Sequence, residues 1–404
     1  MTSQPEKSHT GISKGLLILI AIACGITVAN VYLSQPILNE IAQSFHASPE
    51  TASLVTTMAQ VGYAIGIMFL VPCADSLSGR KLSTILLICT TIALIACALA
   101  PSLQWLVAAS LLLTMFTVIP QVLIPLAVSL AQEGKTGVVI GTVQTGLIMG
   151  ILLSRTLSGF LADLAHTWRA SYIFAAILNA LLLIILTRML PEVENKGLTW
   201  KRYVGLISSM PGMLVKFPAL VLSALLGFLV FGAFSAFWAT LAYYLSSDKF
   251  HMGLAAIGLF GLWGAPGALL APRMGKLSDR YGVKKINIIS IFAVFAAFLL
   301  FALPHAYVIA ALVVGVNLLD FGLQSGQISN QARIFKLPAE YRARLNTVYM
   351  VFTFFGGAIG AAIGSYIWAN HGWTAVCIFS GVLLAFALII LLAMSPAEKK
   401  RAGD

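Results

Sequence analysis

The feature that most constrains this chain is a pattern repeated twelve times along its 404 residues: an apolar run, then a short polar connection. A bilayer hydrocarbon core is about 30 Å thick, so one helical crossing takes about 20 apolar residues. Runs of that size fall near 15–38, 51–72, 82–100, 104–127, 137–162, 170–188, 217–245, 253–272, 286–303, 306–330, 345–368 and 373–395, and they are numbered spans 1 to 12. Only 10% of the residues are charged and 59% are hydrophobic, with a mean hydropathy of +0.93. A soluble domain carries about 25% charged residues. Most of this chain must therefore meet lipid rather than water. The expected fold is an all-α polytopic membrane protein with twelve transmembrane helices.

The net charge of +11 raises nucleic acid as a partner class, but the placement of the charges excludes it. With the N-terminus inside, 22 of the 25 lysines and arginines fall in inner loops or termini, among them Arg80, Lys81, Lys201, Arg342 and Arg344. Arg169 and Lys249 fall outside, and Arg155 lies within a span. This asymmetry is the positive-inside pattern. It puts both termini and the interval 188–216 in the cytoplasm, with attraction to anionic membrane lipid as a by-product. No small-residue cleavage site follows span 1, so it reads as a crossing rather than a removable signal. The cysteines (Cys24, Cys73, Cys89, Cys97, Cys377) are odd in number and lie in or beside spans, which argues against a disulfide framework. Five histidines (His46, His166, His251, His305, His371) lie in outer loops without metal-ligand spacing, so no metal or other cofactor is expected. Trp105, Trp168, Trp368 and Trp373 stand at outer span ends and read as interfacial anchors.

The longest polar interval, 188–216, divides the chain into six spans and six, giving expected units at 1–187 and 217–404 joined by a linker. Within it, TWKRYVGLI either lies on the inner surface as a short helix with Trp200 at the headgroups or is a plain connection. The halves echo one another. PCADSLSGRK joins spans 2 and 3, GKLSDRYGVKK joins spans 8 and 9, and Asp75 and Asp279 are 204 residues apart. Parallel six-helix repeats imply a transporter with its site between two similar bundles.

The second of these loops, with Gly275, Asp279, Arg280, Gly282, Lys284 and Lys285, resembles the signature loop of the major facilitator superfamily. The first copy, with Asp75, Gly79 and Arg80, has one more residue and lacks the arginine after the aspartate. The segments NVYLSQP, GAFSAFW, LLDFGLQSGQISNQAR and RLNTVYM look like the acriflavine-sensitivity group of drug:proton transporters, over nearly the whole chain. The resemblance implies the major facilitator fold of two six-helix pseudo-repeats and a bacterial inner membrane location. It also implies a conformational latch on the cytoplasmic side built from Asp75, Arg80, Gly275, Asp279, Arg280 and Gly282, in which a carboxylate faces a helix start. Two departures stand out: Ser110 occupies the region where better-known relatives carry an arginine in span 4, and GLIMGILLSRTLSG replaces their proline-containing glycine motif in span 5.

The spans also carry polar groups that lipid cannot hydrate. At 100° per residue, Asn317, Asp320, Gln324, Gln327 and Gln331 fall within about 80° of one face of span 10. Gly315, Gly322, Ser325, Gly326 and Ser329 form a small-residue face opposite. A charge at mid-membrane costs roughly 2.5–3.5 kcal/mol on insertion scales, so the polar face is expected to line a cavity. In span 5, Gln144 and Arg155 share a stripe, with Gly146, Gly150 and Ser154 on another. Arg155 and Asp320 are then either a direct pair or separate anchors. Tyr32, Gln35 and Asn39 share a face of span 1, Ser235 and Trp238 one of span 7, and Asn346, Tyr349 and Thr353 one of span 11. Aromatics and amides with few charges suit amphipathic organic molecules. The expected substrate-binding set is Tyr32, Gln35, Gln144, Arg155, Trp238, Asn317, Gln324, Gln327 and Tyr349, with Asp320 carrying the proton.

No GxxxxGK[ST] phosphate loop is present, so the energy source read from the chain is an ion gradient. No HExxH or GxSxG motif appears, and an enzyme is not expected. The leading reading is a monomeric secondary active transporter of small organic compounds, with proton-coupled drug or metabolite efflux by alternating access. The runner-up moves a polar metabolite, a sugar or an organic acid, with Arg155 as anion anchor.

Overall fold

A computed structural model of the protein describes residues 12–75, 77–132, 136–192, 199–303, 308–338 and 341–401. Among the described residues, ten helical stretches are long and apolar enough to cross a membrane. One of these, Arg342–Met394, holds spans 11 and 12, and Gly372 marks the turn between them with φ at 74°, a backbone conformation that favours glycine. A shorter apolar helical stretch, Leu254–Leu270, begins span 8. The twelve crossings are therefore present, though several are broken.

The breaks follow from local chemistry. In span 1 the helix Lys14–Tyr32 gives way to a 3-10 turn, Gln35–Ile37, before Leu38–Ser44 resumes, because Pro36 cannot continue the hydrogen-bond ladder. Of Tyr32, Gln35 and Asn39, only Tyr32 lines the central cavity, while Tyr32 and Gln35 both touch Arg155. In span 4 the helices Leu103–Phe116 and Ile119–Ser129 meet at Thr117, which donates to Thr27 O at 2.8 Å and accepts from Asn30 Nδ2 at 3.1 Å. Span 8 breaks at Gly264, between Leu254–Trp263 and Ala265–Tyr281. Its second part runs through Asp279 to Tyr281, so the segment read as a loop is mostly helix. The turn is at Gly282, φ 91°, just before span 9 begins at Val283.

Packing repeats between the halves. Span 1 lies on span 5 and span 7 on span 11; span 2 lies on span 4 and span 8 on span 10; span 3 lies on span 6 and span 9 on span 12. Glycines make the first pair of contacts close. A methyl at Gly150 would strike the backbone of Gly25, and one at Gly360 the backbone of Gly232. Spans 3, 6, 9 and 12 turn exposed rows outward, such as Ile88 and Ile92, Ile177 and Ile184, Phe292 and Leu299, and Phe386 and Ile389. These rows are what lipid would cover. Two contacts join the halves near the centre, span 2 with span 11 and span 5 with span 8.

Two surface expectations change. Trp168 and Trp373 are buried, the latter stacked on Tyr244 with its indole donating to Phe301 O at 2.8 Å, so neither is an interfacial anchor. Trp105 is exposed and donates to Ala96 O. The linker forms a helix, Trp200–Lys216, bonded to both halves through Tyr203 Oη to Phe69 O at 2.8 Å and Arg344 Nη1 to Ser209 Oγ at 2.9 Å. The side chain of Trp200 lies outside the described residues.

Candidate functional site

A cavity of about 570 Å³ lies between the halves. Its N-terminal wall carries Tyr32, Tyr63, Gln121, Gln144, Ile148 and Ile151, and its C-terminal wall Phe231, Phe234, Asp320, Gln324, Gln327, Gln331, Asn346 and Phe354. Leu206 and Met210 of the linker helix, together with Arg342 and Arg344, stand at the mouth. The cavity thus opens on the linker side. On the opposite side the halves are closed on each other. Gln60 Oε1 accepts from Ser235 Oγ at 3.2 Å, Tyr243 Oη donates to Pro49 O at 3.3 Å, Thr156 Oγ1 donates to Gly258 O at 2.9 Å, and Asn370 Nδ2 donates to Glu50 Oε1 at 2.9 Å.

Span 10 presents its polar stripe to this space because its back is filled. Ser290 Oγ of span 9 donates to Gly322 O at 2.6 Å, and a methyl at Gly326 would meet the same hydroxyl at 2.5 Å. Asp320, Gln324, Gln327 and Gln331 therefore face the cavity. Asn317 does not line it; its amide is spent on backbone, accepting from Gly267 N at 3.1 Å and donating to Val313 O at 2.9 Å.

Arg155 is 1% exposed and lies behind the wall. Its Nε donates to Gln35 Oε1 at 2.8 Å, and its guanidinium carbon is 3.8 Å from the ring centroid of Trp238, 4.9 Å from that of Tyr32 and 5.6 Å from that of Phe234. Both Nη atoms are buried without a hydrogen-bond partner, as is the indole nitrogen of Trp238. Aromatic faces hold a desolvated guanidinium by cation–π attraction, and here those faces come from spans 1 and 7, one in each half. Among the described residues Arg155 and Asp320 form no ion pair, so the direct-pair alternative is not the arrangement of this conformation. Gln35 and Trp238 serve the arginine rather than the cavity wall. Tyr349 is also behind the wall, beside Thr353 and Gly227.

Of the latch residues, Arg80 sits in the first turn of span 3, and Arg280 is exposed with its guanidinium 5.4 Å from the Tyr281 ring. The side chains of Asp75 and Asp279, and the surroundings of Gly275, lie outside the described residues. Gln60, Tyr63 and Gln121 were not singled out from the sequence. The signal existed: Gln60 and Gln121 are lone amides in apolar runs, the same anomaly that marked span 10.

The family model of the Major Facilitator Superfamily matches residues 20–334 and 223–404. The Escherichia coli O157:H7 protein named uncharacterized transporter YgaY is 35% identical over 384 residues, covering 95% of this chain and 96% of its own. SCO4007 of Streptomyces coelicolor, named a probable transporter, is 32% identical over 380 residues, covering 94% and 87%. Among solved structures, the nucleoside transporter NupG matches with a TM-score of 0.66 at 18% identity, over 94% of this chain and 98% of its own. A variant of the peptide transporter POT in complex with alafosfalin matches with a TM-score of 0.76 at 13% identity, over 97% and 96%. At these identities the solved structures show the shared fold alone.

Proposed function

This chain belongs to the Major Facilitator Superfamily, a family of membrane transporters rather than enzymes, and from its site we propose that it exchanges small amphipathic organic compounds for protons by alternating access. The observation that carries the reading is the cavity itself: it lies between the halves, opens on one side, and carries one deep carboxylate, Asp320, among amides and aromatic rings. Amides from both halves satisfy neutral polar groups, and Tyr63, Phe231, Phe234 and Phe354 supply apolar area. Arg155 is shielded by aromatic faces, which favours neutral or cationic compounds over anions. The organic-acid alternative would need the guanidinium to leave its stack.

Competition for one carboxylate is sufficient for exchange. Ionised Asp320 attracts a cation; a proton on it removes that attraction, so substrate and proton leave and enter in turn. One cation out for one proton in moves no net charge, so the pH difference alone drives the exchange, at about 1.4 kcal/mol per proton for each pH unit. In this reading the units 1–187 and 217–404 rock against one another with the linker side cytoplasmic, an orientation the basic loops support, and the GKLSDRYG segment acts as the latch between them. A monomer in a bacterial inner membrane is sufficient, since both walls come from one chain.

Proteoliposomes holding the purified protein test this. Counterflow of a labelled lipophilic cation, together with acidification of the lumen on substrate release, is the expected result. Counterflow without proton movement would overturn the coupling, and no counterflow across cationic, neutral and anionic compounds would overturn the transport site.

A further inference from the structure

The centre of span 8 is discontinuous, and span 10 fills the gap. Two backbone bonds that would bridge the joint between Leu254–Trp263 and Ala265–Tyr281 are diverted. Pro266 has no N–H to give, and the N–H of Gly267 is donated to Asn317 Oδ1 at 3.1 Å. One turn along span 10, Asp320 presses its carboxylate against Gly264, where a methyl would collide with Oδ2 and meet Cγ at 2.9 Å. Asp320 is 3% exposed, and its Oδ2 has no hydrogen-bond partner. A carboxylate with an unfilled oxygen therefore stands at the start of a 17-residue half-helix, where the helix dipole presents about half a positive charge. The same start touches the other half of the molecule: Ala265 and Ala268 pack with Ile148 and Leu152 of span 5.

We infer that the charge on Asp320 sets the position of the linker-side half of span 8, and with it the contact between the two bundles. Ionised, the carboxylate holds the start of Ala265–Tyr281 beside span 5. Protonated, it loses that attraction and becomes a donor, and the half-helix is free to tilt about Gly264. Asn317 and Gly264 are the positioning residues of this joint: one fixes the Gly267 N–H, and the other leaves room for the carboxylate. Among the described residues, the charged or titratable groups that face Asp320 are Arg155 from span 5 and Tyr32 from span 1. The inference rests on the reading of Asp320 as the proton-carrying group and adds what that proton moves.

Hydrogen exchange of the intact protein in lipid nanodiscs tests it, read on peptides covering 262–270 and corrected for the intrinsic pH dependence of exchange. In the wild type, protection of these amides is expected to fall at least fivefold as pH is lowered through the titration of Asp320. Asp320→Asn should sit at the low-protection level at every pH. Gly264→Ala should flatten the response while the acid remains, because the new methyl displaces the carboxylate. A pH response that survives in Asp320→Asn, or that is lacking in the wild type, would overturn the joint even if Gly264→Ala proved too unstable to study. Transport on the same preparations separates the two ideas. Loss of proton-driven transport in Asp320→Asn without any change in exchange leaves the coupling and removes the joint. An Asp320-dependent exchange response with pH-independent transport does the reverse.

Discussion

Gly357→Ala is the substitution whose effect is most directly worked from the geometry. Gly357 lies on span 11 where span 2 crosses it, and a methyl there would overlap Gln60 Oε1 and come within 2.6 Å of the Phe231 ring. Ordinary contacts are about 3.5–4.0 Å, so Gln60 must withdraw. Withdrawal breaks its 3.2 Å bond from Ser235, which joins the halves, and leaves a buried group unsatisfied at a cost of about 1–3 kcal/mol. The cost falls on the conformation in which spans 2 and 11 are closed. Each 1.4 kcal/mol is tenfold in an equilibrium constant, so the linker-side-open form should lose between about 5- and 150-fold in population. Spin labels at the exposed positions Thr51 and His371, beside the Glu50–Asn370 contact, would report this by pulsed dipolar distances in a background without the native cysteines. The expected result is growth of a long-distance population in Gly357→Ala and its partial reversal in Gln60→Ala/Gly357→Ala, which removes the obstructing amide. An unchanged distance distribution in a folded Gly357→Ala protein would refute the reasoning, since the seal would then be elsewhere.

Three further outcomes are expected. Trp238→Leu removes the ring 3.8 Å from the buried Arg155 guanidinium, and a desolvated cation–π contact contributes about 2 kcal/mol. The melting midpoint should fall by several degrees and recover in part with Trp238→Phe, as differential scanning fluorimetry in detergent would show. Asp279→Asn should lower turnover while leaving equilibrium substrate affinity within a few-fold, measured by initial uptake rates against ligand binding. A cysteine at position 248 should react with an impermeant maleimide applied outside intact cells and one at position 200 should not; the reverse would invert the assigned orientation.

The sequence reached the architecture because lipid leaves so little choice. Runs of about 20 apolar residues and the distribution of Lys and Arg bring twelve helices and two halves with them, and the stripe at Asp320, Gln324, Gln327 and Gln331 lies where its period put it. The breaks were less legible. Pro36 and Gly264 interrupt spans 1 and 8, and once a helix is interrupted, a face drawn by 100° steps no longer holds. Gln35 is bonded to Arg155 and does not line the cavity. Asn317 shares the polar stripe but is taken by the broken backbone of span 8, a partner 50 residues away that periodicity within one helix cannot reveal. Arg155 was visible as an anomaly in an apolar run, yet its aromatic surroundings come from spans 1 and 7 and exist only in the folded protein. Gln60 and Gln121 carried the same lone-amide signal as span 10 but without a stripe to give it weight.

The central claim is that Asp320 couples protons to transport, and it is tested most directly by Asp320→Asn in proteoliposomes under an imposed pH step. A one-unit step is worth about 1.4 kcal/mol per proton, so one-to-one exchange should accumulate substrate about tenfold in the wild type. The neutral, near-isosteric variant should show no accumulation above equilibrium, and the counterflow it retains should need a higher concentration of the same cation, because the attraction of the ionised carboxylate is gone. Tenfold accumulation by Asp320→Asn would contradict the claim and leave the aspartate a structural group at the joint of span 8.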